Sequence, residues 1–475
     1  MERRKIAQAL FATGVGASLV AARAKAQTCT DPCFTRTSAE KAAKITPANP
    51  QYPPLNVLRY GAVINSISSA GTTTTAIQNA INVAIAGGGG VVYLPPGKYY
   101  VNSALMLTGH GGAAANGVTI QGAGQNSTAI TMTVANQTGI MIGNAGTICL
   151  NCFIQDLTVE GSISMTGGSA IRFMNGGNCG VANVRFGYNL YWAISLDAAG
   201  PLTVNDTQEQ GGYSYYVSNC EINACVIGIV LGQTHFVQDV FLNGLVIDGA
   251  TGQAINLISA SGVYLSQVST ANCGIGIQTS PPSGMNVNAV FCDQVLSDTT
   301  VGSAWNITTN GGQVVEFMMT DCWGCGAGKA SGGSIAAHGV SIDQGSGTIN
   351  GIKISVGVFH NNNAAGIAVV SATNLVIQQA QVNQNSMYGA AGRYPGIVVK
   401  GGVSNFVIAN NICGSGGYFA AVNVQPNLQS HGIVIEAGPS NNYVVAGNLV
   451  AGNLNTPGIS DGGTGTSKSV NNNVG

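Results

Sequence analysis

The sequence predicts an all-β chain wound as a right-handed, single-stranded parallel β-helix, with a short capping helix at its amino end. Three observations carry this expectation. A small residue followed by an alternating apolar strand recurs eleven times, from GIMI at Gly139 to GIVI at Gly432. Between successive copies lies a second apolar strand such as FIQDLTV, NLVIQQAQV, NFVIANNI or NYVVAGNLV. Only 7% of the 475 residues are charged and 68 are glycine, whereas a globular domain carries roughly a quarter charged residues. Solvent-facing positions therefore fall to Asn, Gln, Ser, Thr and Gly, as suits strands stacked in register.

Residues 1–26, MERRKIAQALFATGVGASLVAARAKA, join Arg3-Arg4 to an apolar stretch from Ile6 to Ala22 and end in Ala24-Lys25-Ala26. This resembles a twin-arginine export signal. The apolar run is short and rich in Ala, Gly and Ser, below the ~20 apolar residues a membrane span needs. Cleavage after Ala26 is expected, leaving a periplasmic or secreted protein with no membrane attachment. Residues 27–54 are polar and proline-rich and read as an extended leader or linker. Residues 55–475 read as one domain. It opens with a short strand and a Gly/Ser/Thr loop. A helix follows with Ile77, Ala80, Ile81, Ala84 and Ile85 on one face. Thr74 or Thr75 is expected to cap it and Gly87 to Gly90 to end it, before a strand, VVYLPPG, that stops at a proline turn.

The succession YGA, TAIQNAI and GGGGVVYLPPGKYYV, between Tyr60 and Val101, resembles the amino-terminal signature of the rhamnogalacturonase and epimerase-like branch of the pectate-lyase superfamily. The resemblance covers about forty-five residues and implies a parallel β-helix. One departure limits it. Family members usually carry aspartates in the loop before the helix, where this chain has Ser68-Ser69-Ala70-Gly71-Thr72, so no role of those acids is carried over.

The repeats complete the case. Single coils cannot bury their inward faces, whereas stacked coils bury a continuous Ile/Val/Leu column. A propeller blade would need four strands in about 40 residues, with hairpin turns; these units supply two or three strands and few such turns.

In a GIxI strand the second and fourth residues point inward, leaving the third and fifth outside. The outward series is Arg172, Ser195, Asp197, Asn256, Gln278, Asn306, Thr308, Ser341, Asp343, Lys400 and Glu436. Its neutral centre, Asn256, Gln278 and Asn306, can hydrogen-bond sugar hydroxyls, or it is an ordinary solvated sheet. Aligning the second strands places Asp156, Asn219, Asp239, Gln267, Asp293, Asp321, Gln379 and Asn410 in one column. Asp293 and Asp321 then fall on neighbouring coils, ~5 Å apart at the backbone. Carboxylates that close couple, so that one holds a proton while the other is charged, the division of labour glycoside hydrolysis needs. Asp239 would assist. The competing reading is that Asp and Asn at coil corners accept backbone N–H bonds.

Two long gaps mark insertions. Residues 199–216 include Tyr213 and Tyr215, which offer faces for sugar rings or fill the coil interior; residues 324–337 are Gly/Ser-rich and carry Lys329. Loops four coils apart could wall a groove ~19 Å long. Trp305, at an inward position, is expected in the core.

Other classes fit less well. Net charge is −1 with no basic stripe, so no nucleic-acid partner is expected. Asp293, Asp321, His338-Gly339 and Lys353 follow the order of a polygalacturonase series, but Lys353 lies half a coil from His338, and His431-Gly432 repeats the pair as a structural corner would. Lyase chemistry needs a base of Arg or Lys type beside calcium-bound acids, and no acids cluster near Arg172 and Arg185. Cys29 and Cys33 flank a turn and form a candidate disulfide. The CLNC at Cys149 and the CWGC at Cys322 could suggest zinc, but coils place them about 29 Å apart, and buried packing is expected for most cysteines. No metal or cofactor is expected. The leading expectation is a polysaccharide-active glycoside hydrolase; the alternatives are a non-catalytic, tailspike-like glycan-binding surface protein and a purely structural solenoid. The oligomeric state is open.

Overall fold

Every repeat closes one turn of a solenoid whose strands pair in parallel, in a 21-stranded and a 13-stranded sheet among the described residues. The computed structural model describes residues 34–198, 212–387, 392–414 and 427–475. The expected export signal, the Cys29–Cys33 pair and residues 199–211 of the first insertion lie outside the described residues.

The narrower sheet is built from the GIxI strands. Its register stacks Ile194, Ile229, Ile255, Ile277, Trp305, Val340, Ile367, Ile397 and Ile433 in one inward column, all buried. Burying an aliphatic side chain of this size is worth about 1.5–3 kcal/mol, so the column holds the coils together as the repeat predicts. Trp305 occupies one rung and donates its indole N–H to the Trp323 carbonyl at 2.8 Å.

The wider sheet bends sharply, and each bend takes a single residue in the left-handed region. One corner column runs Asn178, Ser214, Asp239, Gly262, Ala289, Glu316, Gly351, Asn374 and Asn405. The next runs Asp156, Asn183, Asn219, Gly244, Gln267, Gln294, Asp321, Val356, Gln379, Asn410 and Gly447. All have φ between 50° and 77°, a conformation that Gly, Asn and Asp tolerate best. Six members of the column expected from sequence belong to this second corner. Asp239 belongs to the first corner instead, and Asp293 stands one residue before the bend at Gln294. Val356 is the β-branched exception, at φ 53° and exposed. Val356→Asn is expected to raise stability by roughly 1 kcal/mol, seen as a higher denaturation midpoint; an unchanged or lower midpoint would contradict the strain.

Towards the carboxyl end the corners are lined inside by side-chain amides. Asn362, Asn385, Gln429 and Asn453 form one stack, in which Asn362 Nδ2 donates to Asn385 Oδ1 at 2.9 Å, Asn385 Nδ2 to Gln429 Oε1 at 2.9 Å and Gln429 Nε2 to Asn453 Oδ1 at 3.1 Å. Asn411, Asn448 and Asn473 form another, with rungs of 2.9 Å. The side chains of Asn362, Asn385, Asn453, Asn411, Asn448 and Asn473 also donate to backbone carbonyls, which satisfies groups that burial would otherwise penalise.

The amino end is closed by the helix Ala70–Ala86, which buries Ile77, Ala80, Ile81, Ala84 and Ile85. It begins earlier than the expected Thr cap. Thr74 and Thr75 lie inside it, and their hydroxyls donate back to the Ala70 and Gly71 carbonyls. The preceding Val57–Tyr60, expected as a strand, is a 3-10 turn.

Residues 34–54 are part of this cap rather than a linker. Thr37 and Glu40 form a capping box at the helix Ser38–Ala42. Glu40 pairs with Arg59 at 2.6 Å, both fully buried, and accepts from the Tyr60 hydroxyl at 3.0 Å. The Arg59 guanidinium also donates to the carbonyls of Thr35 and Tyr52. A polar, proline-rich composition hid a segment held by one buried ion pair.

All ten described cysteines are buried free thiols. The strands carrying Cys149–Cys152 and Cys322–Cys325 are six rungs apart in the ladder.

Candidate functional site

Between its first two corners the wider sheet presents a facet of four residues per coil, such as Val240 to Asn243, with alternate side chains facing out. The outward column beside the first corner is aromatic over four coils: Tyr216, Phe241, Tyr264 and Phe291. Their rings stack at 5.2, 5.1 and 5.1 Å with interplanar angles of 8°, 6° and 15°, and Tyr264 is 41% exposed. The column continues through Met318 to Lys353. Sequence reading missed this ladder because it sought rings in the insertion. The signal was present, since an aromatic follows one inward residue after the corner in four successive coils.

The second outward column of the facet runs Ser218, Asn243, Ser266, Asp293, Thr320 and Ser355. Asp293 is thus on the same face as Phe291, two residues on, and Asp321 turns the corner of the next coil. Both carboxylates are exposed. The Cys322 thiol is pushed up to about 12 by burial, and the nearby charges of Asp293 and Asp321 push it the same way. The structure therefore brings these two acids into one neighbourhood. Asp239 is not with them: it sits three coils before Asp321 in the other corner column, with Oδ1 2.8 Å from where a side chain on Gly262 would begin.

The other sequence-predicted residues divide. Tyr215 is a correction: it is fully buried, its hydroxyl donates to the Asp197 carbonyl at 2.9 Å and accepts from the Gly176 N–H at 3.1 Å, and its ring lies 5.2 Å from Phe173. Tyr213 is half-buried against Gly177, where a side chain would collide with its ring. Asn256, Gln278, Asn306 and Ser341 do form one ladder on the narrower sheet. Asn256 is only 8% exposed and accepts from the Ser280 hydroxyl at 3.0 Å, so it is covered rather than offered to a ligand. Gln278 and Asn306 are half-buried. Asp197 is fully buried and accepts the N–H groups of Thr234 and His235, anchoring that turn. Among the described residues no group of three His, Cys, Asp or Glu side chains is placed to hold a metal ion.

Two histidines stand apart from the facet. Burial pushes His338 down to about 4, with Lys400 acting in the same direction, and pushes His360 down to about 4 against the pull of Asp298. A histidine whose folded pKa lies below its unfolded value contributes stability that is present above about pH 6.5 and lost as pH falls toward 4, up to about 3 kcal/mol each. Urea midpoints should therefore fall between pH 6.5 and 4.5, and His360→Asn should flatten the profile. A pH-independent midpoint would refute this.

A solenoid of stacked parallel coils, with a ring ladder and two exposed carboxylates on one facet, is a parallel β-helix. Residues 55–279 match the family described as Rhamnogalacturonase A/epimerase, pectate lyase-like. Two curated relatives are the mannuronan C5-epimerases AlgE5 and AlgE4 of Azotobacter vinelandii, 35% identical over 124 residues and 34% over 131. Each match covers 26% of this chain, but only 12% of AlgE5 and 22% of AlgE4. Tailspike protein 3 of bacteriophage CBA120 shares the fold, with a TM-score of 0.53 at 11% identity, over 88% of this chain and 61% of the tailspike.

Proposed function

We propose that the chain is an exported polysaccharide-active enzyme that lays its polymer along the bent facet and hydrolyses a glycosidic bond at Asp293 and Asp321. The observation that carries this reading is the meeting of the four-ring ladder with two exposed carboxylates on adjacent coils. Rings at the coil spacing give a polymer a continuous apolar rail, and two neighbouring acids supply a proton donor and a charged partner. The match of residues 55–279 to the rhamnogalacturonase A/epimerase, pectate lyase-like family, and the likeness of a quarter of the chain to mannuronan C5-epimerases, support the substrate class. A second reading, glycan binding without turnover, is favoured by the openness of the facet, since no described loop closes over either acid.

The test is reducing-end release from a panel of neutral and acidic polysaccharides by the wild type and by Asp293→Asn and Asp321→Asn. A polyuronate belongs in the panel, followed also by NMR, because the named relatives are epimerases. Release lost in both variants supports the proposal. Release untouched by both would remove this site, binding without release would favour the second reading, and inversion at a sugar carbon without cleavage would replace hydrolysis.

A further inference from the structure

One facet beyond Asp321, side chains from three coils and an insertion line an open cavity of about 220 Å³. Asp298, Cys325 and His360 are register partners on successive coils, Trp323 precedes Cys325 by two residues, and Lys329 enters from the Gly/Ser-rich insertion. The Trp323 and His360 rings meet edge to face at 6.1 Å and 79°, which fixes the indole as one wall. The remaining chemistry is mixed. Asp298 and Lys329 carry opposite charges, the Cys325 thiol is held up first by burial and then by Asp298, and burial keeps the His360 imidazole uncharged near neutral pH. The Asp298 carboxylate also accepts from the Thr299 hydroxyl at 2.8 Å, so its position is set before any ligand arrives.

The volume lies below the roughly 300–1,000 Å³ of sites that take drug-sized ligands, too small for a polymer to thread through. A partly buried indole offers an apolar face, while a carboxylate and an ammonium offer acceptor and donor atoms beside it. Opposite charges that cancel favour a ligand rich in hydroxyls and without charge of its own. We propose that this cavity binds a single uncharged pyranose unit, presented either as a chain terminus or as a one-sugar branch of the polymer. The inference rests on the polysaccharide reading above and adds to it a requirement for one terminal sugar beside the acid pair.

Ligand-observed NMR titrations with methyl glycosides of glucose, galactose, mannose and N-acetylglucosamine test it, with methyl glucuronide as the charge control. One neutral glycoside should bind in the millimolar range. Trp323→Ala should weaken it by about tenfold or more, Trp323→Phe should restore part of the affinity, Lys329→Met should weaken it less than Trp323→Ala, and the glucuronide should bind more weakly than the glucoside. Competition by a linear oligosaccharide ending in that sugar assigns the terminus, and competition only by a singly branched one assigns the branch. Absence of binding by every neutral glycoside, affinity unchanged in a folded Trp323→Ala protein, or preference for the glucuronide would overturn the proposal. Binding is read without turnover, so inactive wild-type protein that still shows Trp323-dependent binding would defeat the hydrolase reading and leave this cavity standing.

Discussion

Asp321→Asn is expected to lower polysaccharide cleavage by about 10²–10⁴-fold while leaving the denaturation midpoint unchanged. The position makes this a clean test. Asp321 sits at φ 54° on an exposed corner, where asparagine, nearly identical in shape, tolerates the left-handed backbone at least as well. Asparagines already occupy that corner at Asn183, Asn219 and Asn410. Any lost activity is then a loss of carboxylate chemistry rather than of fold. Asp293→Asn, one residue before the neighbouring corner, should act similarly, and the double variant should lose little more than either single one if the two work as a unit. Activity falling in proportion to stability would show that the acids serve the corner and not a substrate.

Glu40→Ala is expected to cost about 3–5 kcal/mol, because it leaves the Arg59 guanidinium buried without its counter-charge. Arg59 is fully enclosed and would keep only carbonyl acceptors, among them those of Thr35 and Tyr52. Burial works to raise the Glu40 carboxyl, but the bonds from Arg59, the Thr37 N–H and Tyr60 outweigh it and hold it below its ordinary value. A carboxyl with a depressed folded pKa stabilises above its unfolded value, near 4.5, and loses that contribution as pH falls through the folded one. The wild type should accordingly show a second acid transition below the histidine window, and Glu40→Ala should lack it. Replacing both partners, as Glu40→Leu with Arg59→Met, should recover much of the loss. Midpoints from denaturant titration decide the matter, and a single variant as stable as the wild type would show that the amino-terminal segment contributes nothing to the cap.

The solenoid was legible because it follows from period alone. Ile255 and Ile277 had to become vertical neighbours once each coil needed a covered inward face, and Trp305 had to join them. The corner column was legible in outline, since Asp156, Asn219, Asp321 and Asn410 are of the two residue types, Asp and Asn, that the left-handed bend favours among side chains. Asp239 was misplaced because two corners use the same chemistry, and only the strand register separates them. Tyr215 was misread because an aromatic beside an insertion looks the same in sequence whether it points into the coil or away from it. The aromatic ladder and the Asp298, Cys325 and His360 column depended on counting from the second strand of each coil, where the repeat is less regular. The Glu40–Arg59 pair joins a segment whose composition carries no periodic signal.

The single-residue corners separate the girth of the molecule from its pitch. Ile255 pairs directly with Ile277, 22 residues on, and Ile397 with Ile433, 36 residues on, yet both pairs are ordinary adjacent rungs. Chain added or removed between bends changes the circumference of one turn without displacing the turns above and below it. Segments such as 329–335 can therefore be shortened or exchanged while the spacing of the aromatic rail stays constant.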